Sequence, residues 1–251
     1  MKFFGRKDEI KELLDIKKIS EKTARFTIVT GRRRSGKTSL LLKAYEECPD
    51  MLYFFVARKS EEELCKDFIH EITEKLQTPV LGETTRFSQV FSFLMQLSKT
   101  RHLTLIIDEF QDFKRVNPSI FSDMQRIWDL NKQEAHINLV VCGSVYSLMN
   151  IIFKNNKQPL YVRQTGEIKV TTFPPSVIKE ILQTYNPSFT HEDRLALYTY
   201  TGGVAEYVEM MIDTGAVTKE SMTKKFVAKN SYFIYEGKNM LIEEFGKDYA
   251  K

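Results

Sequence analysis

The chain of 251 residues lacks any apolar run long enough to cross a bilayer; its longest strand-like stretches are "MLYFFVA" and "LTLII". The opening "MKFFGRKDEI" has no apolar signal region, so nothing marks export. Cysteine is scarce: Cys48, Cys65 and Cys142 are odd in number and far apart, which argues against a disulfide framework and against a zinc site. The four histidines (His70, His102, His136 and His191) fit no metal or catalytic spacing. Internal repeats and low-complexity tracts are absent. A cytoplasmic protein with reduced thiols is expected. The hydrophobic content of 42% suits a globular chain with a sizeable core, either one larger domain or a core domain with a small appendage.

Charge is unevenly spread. Residues 1–45 hold 13 Lys+Arg against 5 Asp+Glu, a net +8, and the rest of the chain is net negative. A phosphate-bearing ligand fits the basic segment. DNA bound through this N-terminal region and a merely solvated basic face are both open readings.

Apolar spacing predicts a helix over 6–19, a buried strand over 25–30, a helix over 37–47 and a second strand over 51–57. Ser60 with Glu63 forms a capping-box pattern that opens a helix to about Leu76. A helix over 87–99 and a strand over 103–107 follow. Asn117 before Pro118 predicts an N-cap and a helix to about Leu130. Strands are expected at 137–143 and 167–173, with a helix over 144–153 between them. Strands alternating with helices imply a parallel sheet covered on both faces. From about Pro174 only helices are expected, the last in "SYFIYEGKNMLIEEF", so a domain boundary is placed there.

The stretch "TIVTGRRRSGKTSLL" carries the chemistry. Gly31, Gly36, Lys37 and Thr38 fit the phosphate-loop pattern G-x-x-x-x-G-K-[ST], with a buried strand before it and a helix after it. That context lets backbone N–H groups surround a phosphate at a helix N-terminus. Lys37 is assigned to the β- and γ-phosphates of ATP, and the Thr38 hydroxyl to Mg²⁺. Ser35 and Ser39 are assigned to the nucleotide-binding segment with them. Arg32, Arg33 and Arg34 occupy variable positions, and their side chains are expected to splay outward to solvent or a partner.

In "LTLIIDEFQDF" a buried strand runs into Asp108 and Glu109. A carboxylate there can hold Mg²⁺, and its neighbour can orient water for attack on the γ-phosphate. Asp108 is assigned to the metal and Glu109 to catalysis; a strand-end acidic turn is the alternative. Gln111 and Asp112 follow as weaker candidates. Ser144, at the tip of "INLVVCGS", is either a γ-phosphate contact or a helix N-cap. Arg163 in "PLYVRQT" is either a surface residue or an arginine finger, in cis or from a neighbour.

The ordered set "FFGRKDEIKELL", "GRRRSGKTSLL", "LTLIIDEFQDF", "VVCGSVYSLM", "PLYVRQTGEIKVTTFPP" and "TGGVAEYV" resembles the archaeal-ATPase family of prokaryotic P-loop ATPases, within the STAND group related to AAA+ proteins. The resemblance covers nearly the whole chain. It implies that Gly5 and Arg6 lie near the nucleobase and hinge, that Arg163 belongs to the segment after the fourth strand, and that Gly202 and Gly203 open a helical lid. Two positions depart from the family pattern: Val162 stands where Gly is frequent, and Ala205 where Pro is frequent. Relatives commonly continue into a winged-helix region and a nuclease-like domain. This chain is expected to be an ATPase module without them.

The expected architecture is a three-layer α/β P-loop core with a parallel sheet over 1–173, followed by an all-helical lid over 174–251. The expected function is binding and hydrolysis of Mg·ATP as a nucleotide-driven switch. A partner protein and a nucleotide-dependent oligomer are open. A DNA-dependent loader resembling origin-binding ATPases and a non-hydrolysing nucleotide-held module are the rivals. A P-loop kinase is disfavoured by Glu109.

Overall fold

Five strands with apolar residues on both faces can be stable only inside a layered structure. In the computed structural model they form one parallel sheet. The strands are β1 (Arg25–Gly31), β2 (Met51–Phe55), β3 (Leu103–Asp108), β4 (Ile137–Gly143) and β5 (Gly166–Val170), in the order β2-β3-β4-β1-β5. The described residues are 1–80, 82–234 and 236, without the Tyr146 side chain. Apart from its first residues, the helix expected in "SYFIYEGKNMLIEEF" lies outside them.

The chain divides into two compact units. The sheet unit comprises 6–33 and 37–170. Its helices are α1 (Lys7–Ser20), α2 (Lys37–Ala44), α3 (Glu61–Leu76), α4 (Phe87–Leu97), α5 (Phe113–Val116), α6 (Ile120–Asn131) and α7 (Tyr146–Lys154). Alternation along each strand decides which layer a residue enters. Phe26, Ile28, Leu105, Ile107, Leu139 and Val141 pack into one core with residues of α3, α4, α6 and α7. Val29, Ile106, Val140 and Cys142 pack on the other face with Leu13 of α1 and with Leu40, Leu41 and Tyr45. Burial of this kind stabilises by roughly 25 cal/mol per Å² of apolar surface.

The Ser60–Glu63 capping box forms as expected. Helix α2 ends at Ala44, three residues early. Asn117 accepts from Ser119 N at 3.1 Å and so caps the turn containing Pro118, although regular helix begins only at Ile120. The sequence pattern missed the 3₁₀ turn Phe110–Asp112 and α5. Elements of three and four residues are too short to show a helical period.

The second unit comprises residues 1–5, 34–36 and the chain from Thr171. Its described helices are α8 (Pro175–Tyr185), α9 (His191–Thr201), α10 (Ala205–Asp213) and α11 (Lys219–Phe226). Phe4, Phe173, Ile178, Leu182, Leu197 and Met211 are among the residues that form its core. Ala205 takes the first helical position of α10, where proline would also fit. No helix among the described residues is long and apolar enough to cross a membrane.

Candidate functional site

Strand β1 ends at Gly31, and α2 starts at Lys37 after a five-residue loop. Arg34 and Gly36 take left-handed conformations, with φ of +66° and +84°. Gly36 reaches this conformation without strain; Arg34 carries a Cβ there and needs support from its surroundings. Lys37 is buried, and its ammonium donates to Gly31 O and Arg32 O, each at 3.1 Å. Burial draws its pKa down, while Cys142, Glu109 and Asp108 oppose that shift. The cation is thus held at the loop's own carbonyls beside two carboxylates.

The first turn of α2 meets the end of β3. Thr38 donates to Asp108 Oδ2 at 2.6 Å, and Glu109 N donates to Asp108 Oδ1 at 2.8 Å. A third donor, Tyr53 on the edge strand β2, bonds Asp108 Oδ2 at 2.9 Å. Sequence reasoning did not single out Tyr53, and only its polar tip within an apolar strand was a signal. Burial, followed by the charge of Asp108, raises its pKa. Glu109 is left-handed at φ +52°. Its Oε2 accepts from Ser144 Oγ at 2.8 Å and from Gln111 Nε2. Ser144 therefore touches the acidic pair directly.

A hydroxyl and a carboxylate at hydrogen-bond distance form a hard oxygen set. That set suits Mg²⁺, which binds through one or two carboxylates, waters and substrate phosphates rather than a full protein cage.

The remaining expected residues lie as follows. Gly31 closes β1, and Ser35 is buried in the loop. Ser39 is exposed on α2. Arg6 is buried at the start of α1, left-handed at φ +64°, and pairs with Glu9 at 3.0 Å. Arg34 does not splay to solvent. Its guanidinium pairs with Glu206 at 3.3 Å and with Glu236, donates to Tyr207 OH at 3.2 Å, and lies 5.2 Å from the Tyr232 ring centroid.

Arg163 requires a correction. Its Nε donates to Asp129 Oδ2 at 3.1 Å and its Nη1 to Tyr161 O at 2.8 Å. Two residues on, Thr165 N bonds Phe26 O, at the start of β1. Five residues of strand, about 16 Å at 3.3 Å each, separate Phe26 from Gly31. Arg163 thus stands at the rim of the sheet opposite the loop, beyond the reach of an arginine side chain. It cannot serve as a finger on its own chain's nucleotide. Beside it, Val162 is left-handed at φ +55°, so the turn forms even where the family often has glycine.

Comparison with known proteins places this geometry in context. Residues 3–211 match a family described as an ATPase domain predominantly from Archaea. An uncharacterized protein of Methanocaldococcus jannaschii is 29% identical over 207 residues, covering 82% of this chain and 43% of the relative. This chain therefore spans less than half the length of that curated relative. Among solved structures, a Walker-type ATPase of Pyrococcus abyssi aligns with a TM-score of 0.65 at 18% identity, over 95% of this chain and 71% of the other. The ORC2 protein of Aeropyrum pernix, in ADPNP–ADP complexes, aligns at 0.62 and 13%, over 87% and 66%. A STAND protein with a tetratricopeptide repeat sensor from Pyrococcus horikoshii aligns at 0.53 and 15%, over 96% and 32%. At these identities the likenesses show the shared fold.

Proposed function

The chain belongs to the family of ATPase domains found predominantly in Archaea, and from that premise we propose that it binds Mg·ATP and hydrolyses it as a nucleotide-driven switch. The observation that carries this reading is the Thr38–Asp108 contact at 2.6 Å, with the buried Lys37 ammonium and Glu109 beside it. Loop N–H groups and Lys37 bind the phosphates at the start of α2. Thr38 and Asp108 would hold Mg²⁺, which would supply neutralisation of phosphate charge. Glu109 orients a water and takes its proton.

The switch is assigned to the helical unit. Residues 34–36 of the loop cluster with that unit, and Arg34 is fixed there by Glu206, Tyr207 and Glu236. That residues 34–36 belong to the phosphate loop in sequence and cluster with these helices supports the switch reading. The STAND-like role rests on this arrangement.

The test is ATP turnover by the wild type and by Glu109→Gln, each with and without duplex DNA, beside equilibrium ATP binding. Hydrolysis predicts turnover that disappears in Glu109→Gln while binding persists, and loss of tight binding in Lys37→Ala. Binding without turnover in the wild type would replace the hydrolase with a nucleotide-held module. A rise in turnover with DNA, lost steeply with salt, would move the reading to a DNA-dependent ATPase.

A further inference from the structure

We infer that Gln111 is a positioning residue for Glu109, acting with Ser144, and that Gly143 is glycine so that Gln111 can be seated. This rests on the reading of Glu109 as the group that orients the attacking water.

Glu109 is the first residue beyond β3, in a left-handed conformation unfavourable for a residue with a Cβ. A flexible carboxylate in such a turn needs external contacts to fix its direction. Two are present, and both end on the same oxygen. Ser144 Oγ, from the tip of β4, and Gln111 Nε2, from the 3₁₀ turn, donate to Oε2. That leaves Oε1 as the acceptor for a water. In the reaction the water oxygen bonds the γ-phosphorus and its proton passes to Oε1. The electron pair of the broken P–O bond leaves on the β-phosphate oxygen.

The seat of Gln111 is costly in itself. The side chain is 2% exposed, and its Oε1 has no hydrogen-bond partner. A buried carbonyl without a donor is unfavourable, and packing alone would be better served by an apolar residue. Turning the amide over would only set its carbonyl oxygen against the Glu109 carboxylate oxygen in place of the N–H donor. Gly143 completes the seat. A Cβ there would lie 2.6 Å from Gln111 Oε1 and 2.4 Å from Met149 Sδ. Gln111, Gly143 and Ser144 thus form one bracket, built from the ends of two neighbouring strands, around a single carboxylate oxygen.

The experiment uses Gln111→Leu, Ser144→Ala and their double, with Ser144→Thr as the conservative control. It reads kcat, KM, ATP affinity and the nucleotide-free unfolding midpoint. Each single change is expected to lower kcat about tenfold or more, since a misplaced reacting group commonly costs that much, while ATP affinity stays within about twofold. Ser144→Thr should recover most of kcat. In the nucleotide-free protein, Gln111→Leu and Ser144→Ala should each shift the midpoint less in a Glu109→Ala background than in the wild type, because their acceptor has gone.

Unchanged kcat in both single variants of an active enzyme would overturn the inference, as would midpoint shifts that add independently of Glu109. Ser144→Ala keeps the test decisive where Gln111→Leu does not fold. A wild type that binds ATP without turnover sinks the hydrolase reading and the positioning role with it, whereas the midpoint cycle still decides the bracket's geometry.

Discussion

Thr38 on α2 donates its hydroxyl to Asp108 at the end of β3 across 2.6 Å, joining two segments that lie 70 residues apart in sequence. Tyr53 places a second hydroxyl on the same carboxylate oxygen at 2.9 Å. Two hydroxyls therefore aim the carboxylate, and the hydroxyl and carboxylate oxygens that a hard cation needs lie together.

This relationship predicts the metal dependence. Turnover should stop when EDTA removes Mg²⁺ and return when Mg²⁺ is restored. Asp108→Asn should raise the Mg²⁺ concentration for half-maximal turnover at least about tenfold, because a ligating charge is lost. Thr38→Ser keeps the hydroxyl and should shift that midpoint little, whereas Thr38→Ala should shift it in the same direction as Asp108→Asn. Mg²⁺ titrations of turnover provide the check. An Asp108→Asn curve that overlays the wild type would remove Asp108 from the metal site.

Val162 supplies a stability prediction. It is β-branched, 63% exposed and left-handed at φ +55°, a conformation that costs an L-residue with a Cβ about 1–2 kcal/mol. Glycine removes that cost but gives back roughly 0.5–1 kcal/mol in unfolded-chain entropy. Val162→Gly should therefore stabilise by about 0.5–1 kcal/mol and raise the unfolding midpoint by about 1–4 °C. A lowered midpoint would show that the turn is not strained.

The loop at 31–38 was legible in the sequence because its constraints are local: two glycines, a lysine and a threonine between a strand and a helix. The five strands were legible for the same reason. Tyr53 and the anchoring of Arg34 were not, since each depends on which distant element lies alongside; Gln111 stood out only as a weaker candidate beside the acidic pair, because its contact with Glu109 depends on the 3₁₀ turn. The placement of Arg163 was recoverable. In a parallel sheet every helix-to-strand return lands at the rim opposite the strand-to-helix loops, and residues 155–165 form such a return between α7 and β5.

Asp193 gives an acid-side prediction. It is buried, and it accepts from Thr190 N at 2.7 Å, Thr190 Oγ1 at 2.9 Å and Lys219 N at 2.6 Å, so it caps α9 and ties down the start of α11. Burial pushes its pKa up, but these donors outweigh burial and hold it below the usual carboxylate value. A depressed folded pKa adds stability above the unfolded value of about 3.9 and loses it as pH falls through the folded one. Asp193→Asn should cost about 1–2 kcal/mol at pH 7. Denaturant unfolding should show the gap between variant and wild type narrowing once the pH is below about 3.9. A gap independent of pH would mean that the carboxylate charge is not what the cap uses.

Cysteine titration tests the packing of the sheet unit from the alkaline side. Burial, with Glu61 and Glu62 nearby, raises the Cys65 thiol to about 12, and burial raises Cys142 and Cys48 as well. An unfolded thiol ionises near 8.5. Above that pH the unfolded chain loses the proton first. Each thiol that stays protonated only in the fold then removes about 1.4 kcal/mol of stability per pH unit. Lys37 works in the opposite direction: its lowered pKa makes stability rise with pH below the unfolded lysine value near 10.4. Comparing wild type with Cys65→Ala isolates the thiol, and the variant should lose less stability between pH 8 and pH 10. In native labelling at pH 8 with an alkylating reagent, Cys48, the one half-buried thiol of the three, should react first. Cys65 and Cys142 should react only on unfolding. Equal alkaline slopes in the two proteins, or early labelling of Cys65, would show that the face of β2 under α3 opens more readily than its packing implies.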